Sequence, residues 1–270
     1  PRMPTICGLR RRGYTPAAIR AFSEQIGVAK SDSTVEYSFL EHCLRADLDD
    51  TAKRVMAVIR PIKLTITNYP EGQSETFEIE NHPKHPEMGT HTVTFSRELY
   101  IETEDFLETP IPKYKRLYPD GPECRLKSAY LIRCTGCRKD ENGNVVEVFA
   151  EYDPESKGGN PADGRKVKGA TIHWVDAATA LTAEVRLYDN LFSDAAPDAG
   201  GKDFLECLNP SSLEVLTDCK LEASLANAEA PASFQFMRQG YFCVDNKDSK
   251  PGHPVFNRSV SLKDSFKPKK

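Results

Sequence analysis

PIKLTIT, residues 61–67, is where the sequence changes period. Ile62, Leu64 and Ile66 alternate with Lys63, Thr65 and Thr67, the two-residue repeat of a strand with one buried face. Upstream, apolar residues recur every three or four positions, as they do on one face of a helix. Thr15 is placed to cap a helix that begins with Pro16; Ile19, Phe22 and Ile26 share a face, and Gly27 supplies the stop. Ser33 and Glu36 have capping-box spacing ahead of Val35, Phe39, Leu40, Cys43 and Leu44. A third helix is expected after Asp49 and Asp50, carrying Arg54.

Downstream of Pro61 the period stays at two. Val93 and Phe95 alternate with polar neighbours, as does the segment 124–133, and residues 170–175, 184–188, 233–244 and 255–262 also read as strands. Asn142-Gly143 between two alternating runs predicts a type I′ hairpin. Short strands separated by Pro, Gly and Asn favour barrels over a parallel sheet. The expected fold is therefore mainly β with N-terminal helices.

The 270 residues suffice for roughly two domains at about 150 residues each. No run of about 18 apolar residues is present to span a membrane. The basic, proline-containing start from Pro1 to Arg12 lacks the apolar core of a secretory signal, and without an initiator Met the chain is expected to begin mid-protein. Eight cysteines in a chain this long do not make a disulfide scaffold, so a reducing cytoplasm is the expected setting. Cys134 and Cys137 form a single C-x-x-C, readable as half a zinc site or as two strand-end thiols. His82, His85 and His91 in a turn-rich loop read as metal ligands or as hydrogen-bonded loop histidines. In both cases the expectation is no metal.

The net charge of −4 hides a segregation of sign. Residues 71–108 carry a net −8, whereas 113–138 and 234–270 each carry +5. Such a chain can turn one basic face to phosphate, or these can be ordinary solvated loops. Nucleotide-activating motifs are missing: Gly164 and Gly169 have the outer spacing of a P-loop, but Ala170, ahead of Thr171, stands where Lys is needed. If 124–133 is one strand, Arg125 and Lys127 share a face. Lys113, Lys115 and Arg116 surround Tyr114, a mixture of cations and aromatic ring that suits phosphate contact and base stacking. A charged edge that discourages strand pairing is the other reading.

Longer phrases add to this. PRMPTICGLRRRGYTPAAIRAF (1–22), NHPKHPEMG (81–89), DGRKVKGATIHWVDA (163–177), FQFMRQGYFCVD (234–245) and VFNRSVSLKD (255–264) resemble the glutaminyl-tRNA synthetase family of bacterial type, in its order and spacing. The resemblance runs from Pro1 to about Phe266. It implies a helical connection over 1–57 and two anticodon-binding β-barrels: a proximal one from 58–108, completed by 191–270, and a distal one from 109–190. It also implies a parent enzyme, cytoplasmic and monomeric, that joins glutamine to tRNA(Gln) using ATP and Mg. The catalytic domain with its HIGH-type and KMSKS-type motifs lies upstream in that family, as a partner in cis, and neither motif occurs in this chain. What the chain is implied to hold is the contact with the anticodon arm, with no cofactor and no catalytic residue of its own.

By the same resemblance Lys30 and Arg54 contact the anticodon stem-loop, Lys113, Tyr114, Lys115 and Arg116 hold anticodon bases, and Arg125 and Lys127 sit beside them. Gln235, Arg238 and Arg258 complete the set. Lys113 stands where the bacterial pattern has glutamine and Lys127 where it has arginine, which implies looser base readout, since lysine is a flexible point charge and arginine a planar fork. The triple arginine Arg10–Arg12 is implied to lie beside the tRNA or the catalytic domain, or else to be a solvated helix entrance. Two rivals share the basic-faced barrel: glutamyl-tRNA synthetase of archaeal or eukaryotic type, and a ribosomal-protein-like RNA binder.

Overall fold

Helices give way to strands just ahead of PIKLTIT in the computed structural model, which describes residues 1–28, 30, 34–201 and 203–263. The helices are α1 (Ile6–Arg12), α2 (Pro16–Ile26) and α3 (Tyr37–Thr51). The strands are β1 (Lys53–Val55), β2 (Ala57–Val58), β3 (Pro61–Ile66), β4 (Ser74–Glu80), β5 (Thr90–Ser96), β6 (Glu98–Glu102), β7 (Cys124–Leu126) and β8 (Leu131–Lys139). They continue with β9 (Val145–Tyr152), β10 (Thr171–Ile172), β11 (Val175–Asp176), β12 (Leu181–Tyr188), β13 (Leu213–Leu221), β14 (Ser233–Phe236), β15 (Gly240–Val244) and β16 (Val255–Ser261). The mainly β class with N-terminal helices is the one expected.

Local chemistry explains the helix ends. Thr15 Oγ1 accepts from the Ala18 amide at 3.1 Å, Pro16 fills the first turn, and the Gly27 amide closes on Ser23 with φ at +70°. α1, which the periodicity does not reveal, is capped by Thr5 and ended by left-handed Gly13. α3 starts behind Glu36, whose side chain makes no cap bond; Ser33, the expected cap, lies outside the described residues, as does the basic tail 267–270. The expected third helix after Asp50 does not form. Ala52 turns extended and Arg54 falls on β1, because the run from Val55 to Ile59 is buried on every side, which suits a core strand rather than an amphipathic helix.

The chain divides into two compact units. The first comprises Pro1–Arg54, Glu184–Thr217 and the described residues from Ala228 onward. Its strands run in the order β1-β14-β15-β16-β12, with β14, β15 and β16 antiparallel and β16 parallel to β12. The segment 233–244, expected as one strand, is a hairpin that folds back through Arg238 at φ +67°. Leu9, Tyr14 and Ala18 pack with Leu40, Leu44, Leu48 and Ala52 against Tyr241 and Val260.

The last turn of α1 is clamped to this sheet. Arg11 Nε and Nη2 donate to the fully buried Asp245 at 2.8 and 3.0 Å, and Nη2 also donates to Asp248 at 2.7 Å. Asn257 Nδ2 donates to Asp245 at 2.6 Å and to the Arg11 carbonyl at 3.1 Å. Arg12 is buried over the Tyr14 and Tyr188 rings and donates through Nε to the Arg258 carbonyl at 3.1 Å. Arg11 and Arg12 are thus internal struts, which corrects the reading of the triple arginine as a solvated helix entrance; of the three, Arg10 is exposed. Between them and the sheet Gly13 leaves no room: a Cβ there would come within 2.4 Å of Cys243 Cβ and 2.5 Å of Ser259 Oγ.

The second unit comprises Val55–Ala183 and Asp218–Asn227. Its main sheet runs β10-β7-β8-β9-β3-β6-β11, with β4 and β5 as a separate hairpin and the end of β13 paired to β2. β3 pairs with β6 on one edge and with β9 on the other, so residues of the 58–108 and 109–190 segments share this sheet. Phe95 packs edge-on against Tyr69, Phe77, Tyr130 and Trp174 in its core. The segment 124–133 is broken after Leu126 by a turn with Ser128 at φ +61°, and 170–175 is two short strands rather than one. The Asn142-Gly143 hairpin forms, but not as type I′. Only Gly143 has positive φ; its amide bonds to the Asp140 carbonyl at 3.0 Å, and Asp140 accepts from the Asn144 amide, a three-residue loop with a glycine bulge. Cys134 and Cys137 lie within β8 rather than at its end. The loop histidines are engaged: His82 Nδ1 accepts from the Lys84 amide, His85 meets Glu87 at 2.7 Å, and His91 meets Asn81 at 2.8 Å and buried Glu222 at 3.0 Å.

Burial alone would raise the pKa of Asp245, but Arg11 and Asn257 hold its carboxyl well below the ordinary carboxylate range. A folded pKa below the unfolded value of about 3.9 gives stability that is complete above that value and lost as pH falls through the folded one. Hydrogen exchange of β15 and β16 amides across pH 2–6 is therefore expected to show protection dropping at the acid end, with Asp245→Asn less protected at pH 6 and flatter with pH. Gly13→Ala is expected to cost more than about 2 kcal/mol in urea unfolding, through overpacking at a positive φ.

Candidate nucleic-acid interface

The sequence-derived residues separate into two groups, one in each unit. In the first unit Arg54, on β1, and Gln235, on β14, belong to neighbouring strands. Gln235 stands opposite Tyr241 in the β14–β15 register, so the two side chains share a face. Gln235 Nε2 donates to the Tyr241 hydroxyl at 2.9 Å, Tyr241 donates to Asp49 Oδ1 at 3.2 Å, and Arg54 Nη2 donates to the same oxygen at 3.1 Å. Gln235 and Tyr241 are buried, Arg54 is half-buried, and the Asp49 side chain is 41% exposed. The chain of bonds therefore leads from the core to the surface. Arg54 Nε is buried without a hydrogen-bond partner among the described residues. Burial, and then the nearby Asp49 carboxylate, push the Tyr241 hydroxyl up to about 12.

Arg238 sits in the left-handed turn of the β14–β15 hairpin, half-buried, just beyond Gln235. Arg258, on β16, donates through Nη2 to the Tyr188 carbonyl at 3.0 Å. It lines a cavity of about 190 Å³ with Arg12, Glu41, Tyr188, Asp189, Asn190 and Ser261. Burial, and then the charge of Arg12, lower its pKa. Lys30 is exposed.

In the second unit, residues 113–117 form a loop held from both sides. The Ala170 amide donates to the Lys115 carbonyl at 2.7 Å, and the Leu117 amide to the Asp105 carbonyl at 3.0 Å. Lys113 and Lys115 are exposed, Lys113 at φ +67°. Tyr114 donates its hydroxyl to the Glu104 carbonyl at 2.9 Å, and burial, with Asp105 next in effect, raises its pKa. Arg116 is tied to Glu104 at 3.2 Å and to fully buried Asp105 at 3.3 Å. Arg125 donates through Nε to the Gly159 carbonyl. Lys127 follows the last residue of β7, and its carbonyl accepts from Trp174 Nε1 at 3.0 Å. Its amide still bonds to the Ile172 carbonyl at 2.9 Å, as that of Arg125 does to Ala170 at 3.0 Å, so the ladder runs through Lys127 and the left-handed turn comes one residue later, at Ser128.

Planar guanidinium and amide groups indexed by buried partners suit hydrogen-bonded recognition of base edges, and exposed lysines on a fixed loop suit phosphate. The family model for the anticodon-binding domain of class I tRNA synthetases (E and Q) matches at residues 52–153 and again, in a second model of the same description, at 171–245. The chain belongs to this anticodon-binding family. Among its relatives are the glutamine–tRNA ligases of Bradyrhizobium diazoefficiens, 53% identical over 98% of this chain and 47% of that protein, and of Cupriavidus necator, 57% identical over 98% and 45%. That of Clostridium perfringens is 56% identical over 99% of this chain and 48% of its own length. The chain thus spans about half the length of the curated relatives it matches.

The resemblance to the family supplies Arg54 and Gln235 but not Asp49 or Tyr241, which link them. Gly240 after a run of polar and long side chains is the signal that could have marked a hairpin and set Tyr241 opposite Gln235.

Because Arg116 is the cation beside buried Asp105, Arg116→Ala is expected to lower stability by about 1–3 kcal/mol. Lys113→Ala and Lys115→Ala, on an exposed loop, should stay within about 0.5 kcal/mol. Urea unfolding followed by Trp174 fluorescence separates the two cases.

Proposed function

We propose that this chain is the part of a glutamine–tRNA ligase that reads the anticodon arm of tRNA(Gln). The observation that carries the reading is the pair of anticodon-binding matches at 52–153 and 171–245, in a chain whose relatives bear the name glutamine–tRNA ligase. The whole enzyme joins glutamine to tRNA at the expense of ATP, with Mg, in the cytoplasm. The chain contributes recognition and acts as a monomer in cis to a catalytic domain. It should show no ATP-dependent charging alone. In this role Arg54, Gln235 and Arg238 contact anticodon bases together with Tyr114 and Arg116. Lys30, Lys113, Lys115, Arg125, Lys127 and Arg258 add contacts with the backbone or neighbouring bases.

Binding to the glutamine tRNA, the glutamate tRNA and an unrelated stem-loop at one moderate salt concentration tests the reading. A preference for the glutamine tRNA is expected, and equal binding to all three would leave only nonspecific phosphate attraction. Arg54→Ala or Arg238→Ala should cost about 1–3 kcal/mol in a manner that depends on the anticodon. Lys30→Ala should weaken all tRNAs alike and lower the salt slope by about one.

A further inference from the structure

We propose, resting on the anticodon-binding reading above, that Tyr241 and Asp49 are positioning residues that join Arg54 and Gln235 into a single base-reading pair and fix which end of the Gln235 amide is presented. The four side chains form one unbroken series, from Gln235 Nε2 to the Tyr241 hydroxyl at 2.9 Å, to Asp49 Oδ1 at 3.2 Å, and back from Arg54 Nη2 to that oxygen at 3.1 Å.

The polarity of the series follows from the donors available. An ionised carboxylate only accepts, so the single phenolic proton of Tyr241 goes to Asp49. Towards Gln235 the hydroxyl then has only lone pairs to offer. A glutamine amide can otherwise be turned end for end at little cost, but here its NH2 must face Tyr241, and its carbonyl oxygen is directed elsewhere. Burial keeps the phenol protonated, with its pKa pushed up to about 12, so the direction of the series holds at any working pH.

Asp49 performs the same service for Arg54. It holds one terminal nitrogen and so fixes the plane of the guanidinium, while Nε stays buried with no hydrogen-bond partner among the described residues. A buried unmade bond costs free energy. A fold that served stability alone has no reason to keep it, whereas a recognition site gains from cations and amides already locked in place. A half-buried guanidinium held on one nitrogen beside an amide of fixed orientation is a mixed set that matches a base edge better than a phosphate.

Tyr241→Phe tests this directly, since it removes one oxygen and keeps the ring. The probes are the glutamine tRNA and the same tRNA carrying single substitutions at each anticodon base, at fixed moderate salt. Roughly five- to tenfold of the discrimination between them should be lost, the worth of one hydrogen bond, with the salt slope unchanged. Adding Tyr241→Phe to Gln235→Ala should lose little more than Gln235→Ala alone. Asp49→Asn, nearly isosteric, should act in the same direction, and it decides the matter if Tyr241→Phe does not fold. In the free protein the Gln235 side-chain amide signals in 15N spectra should move toward those of a mobile glutamine. A folded Tyr241→Phe with full discrimination overturns the positioning role and leaves the anticodon reading standing. A wild-type chain that does not discriminate overturns both.

Discussion

A carboxylate with no exposed surface governs the first unit. Asp245 follows directly on β15 and gathers Arg11 from α1, Asn257 from β16 and the amides of Lys247 and Asp248. Removing a charge from water is costly unless every lone pair finds a donor, and here the donors come from three separated stretches of chain. The charge therefore acts as a registration mark. α1 can sit against β15 and β16 in one way only, and the close approach at Gly13 fits that arrangement. Tyr241 lies on the same short strand, four residues before Asp245, so the bond series from Gln235 to Arg54 inherits its position from the clamp.

The basic residues of the chain fall into two physical classes that composition does not separate. Arg11, Arg12 and Arg116 lie against buried carboxylates, carbonyls or rings. Lys113, Lys115 and Lys30 stand exposed. The first class shapes the surface and the second is available to a polyanion without breaking an internal contact. Arg54 lies between the two, half-buried, with one nitrogen held and another unsatisfied.

What could be read from the sequence followed how local the cause was. The helix from Pro16 to Ile26 was legible because its cap, its proline and its glycine all act within one or two turns. PIKLTIT was legible because its alternation matches the burial of β3 at Ile62 and Leu64. The turns at Lys113, Ser128 and Arg238 were not, since all three take positive φ without the glycine or asparagine that usually announces it. That is why 124–133 and 233–244 each read as one strand. The resemblance supplied a set of contact residues. Asp49 and Tyr241 stayed outside it because their role depends on which strands become neighbours, a tertiary fact.

The interleaving of the two units bears on the order in which the chain can fold as it is made. The second unit has nearly all its residues once Ala183 has emerged, and lacks only the short stretch Asp218–Asn227. The first unit begins with α1, α2 and α3, whose shared core takes in Tyr241 and Val260, some two hundred residues later. Those helices can pack on one another early, but the strands that complete their core, β15 and β16, are made well after them. Of these two units, the one whose residues come first along this chain is thus also the one completed last.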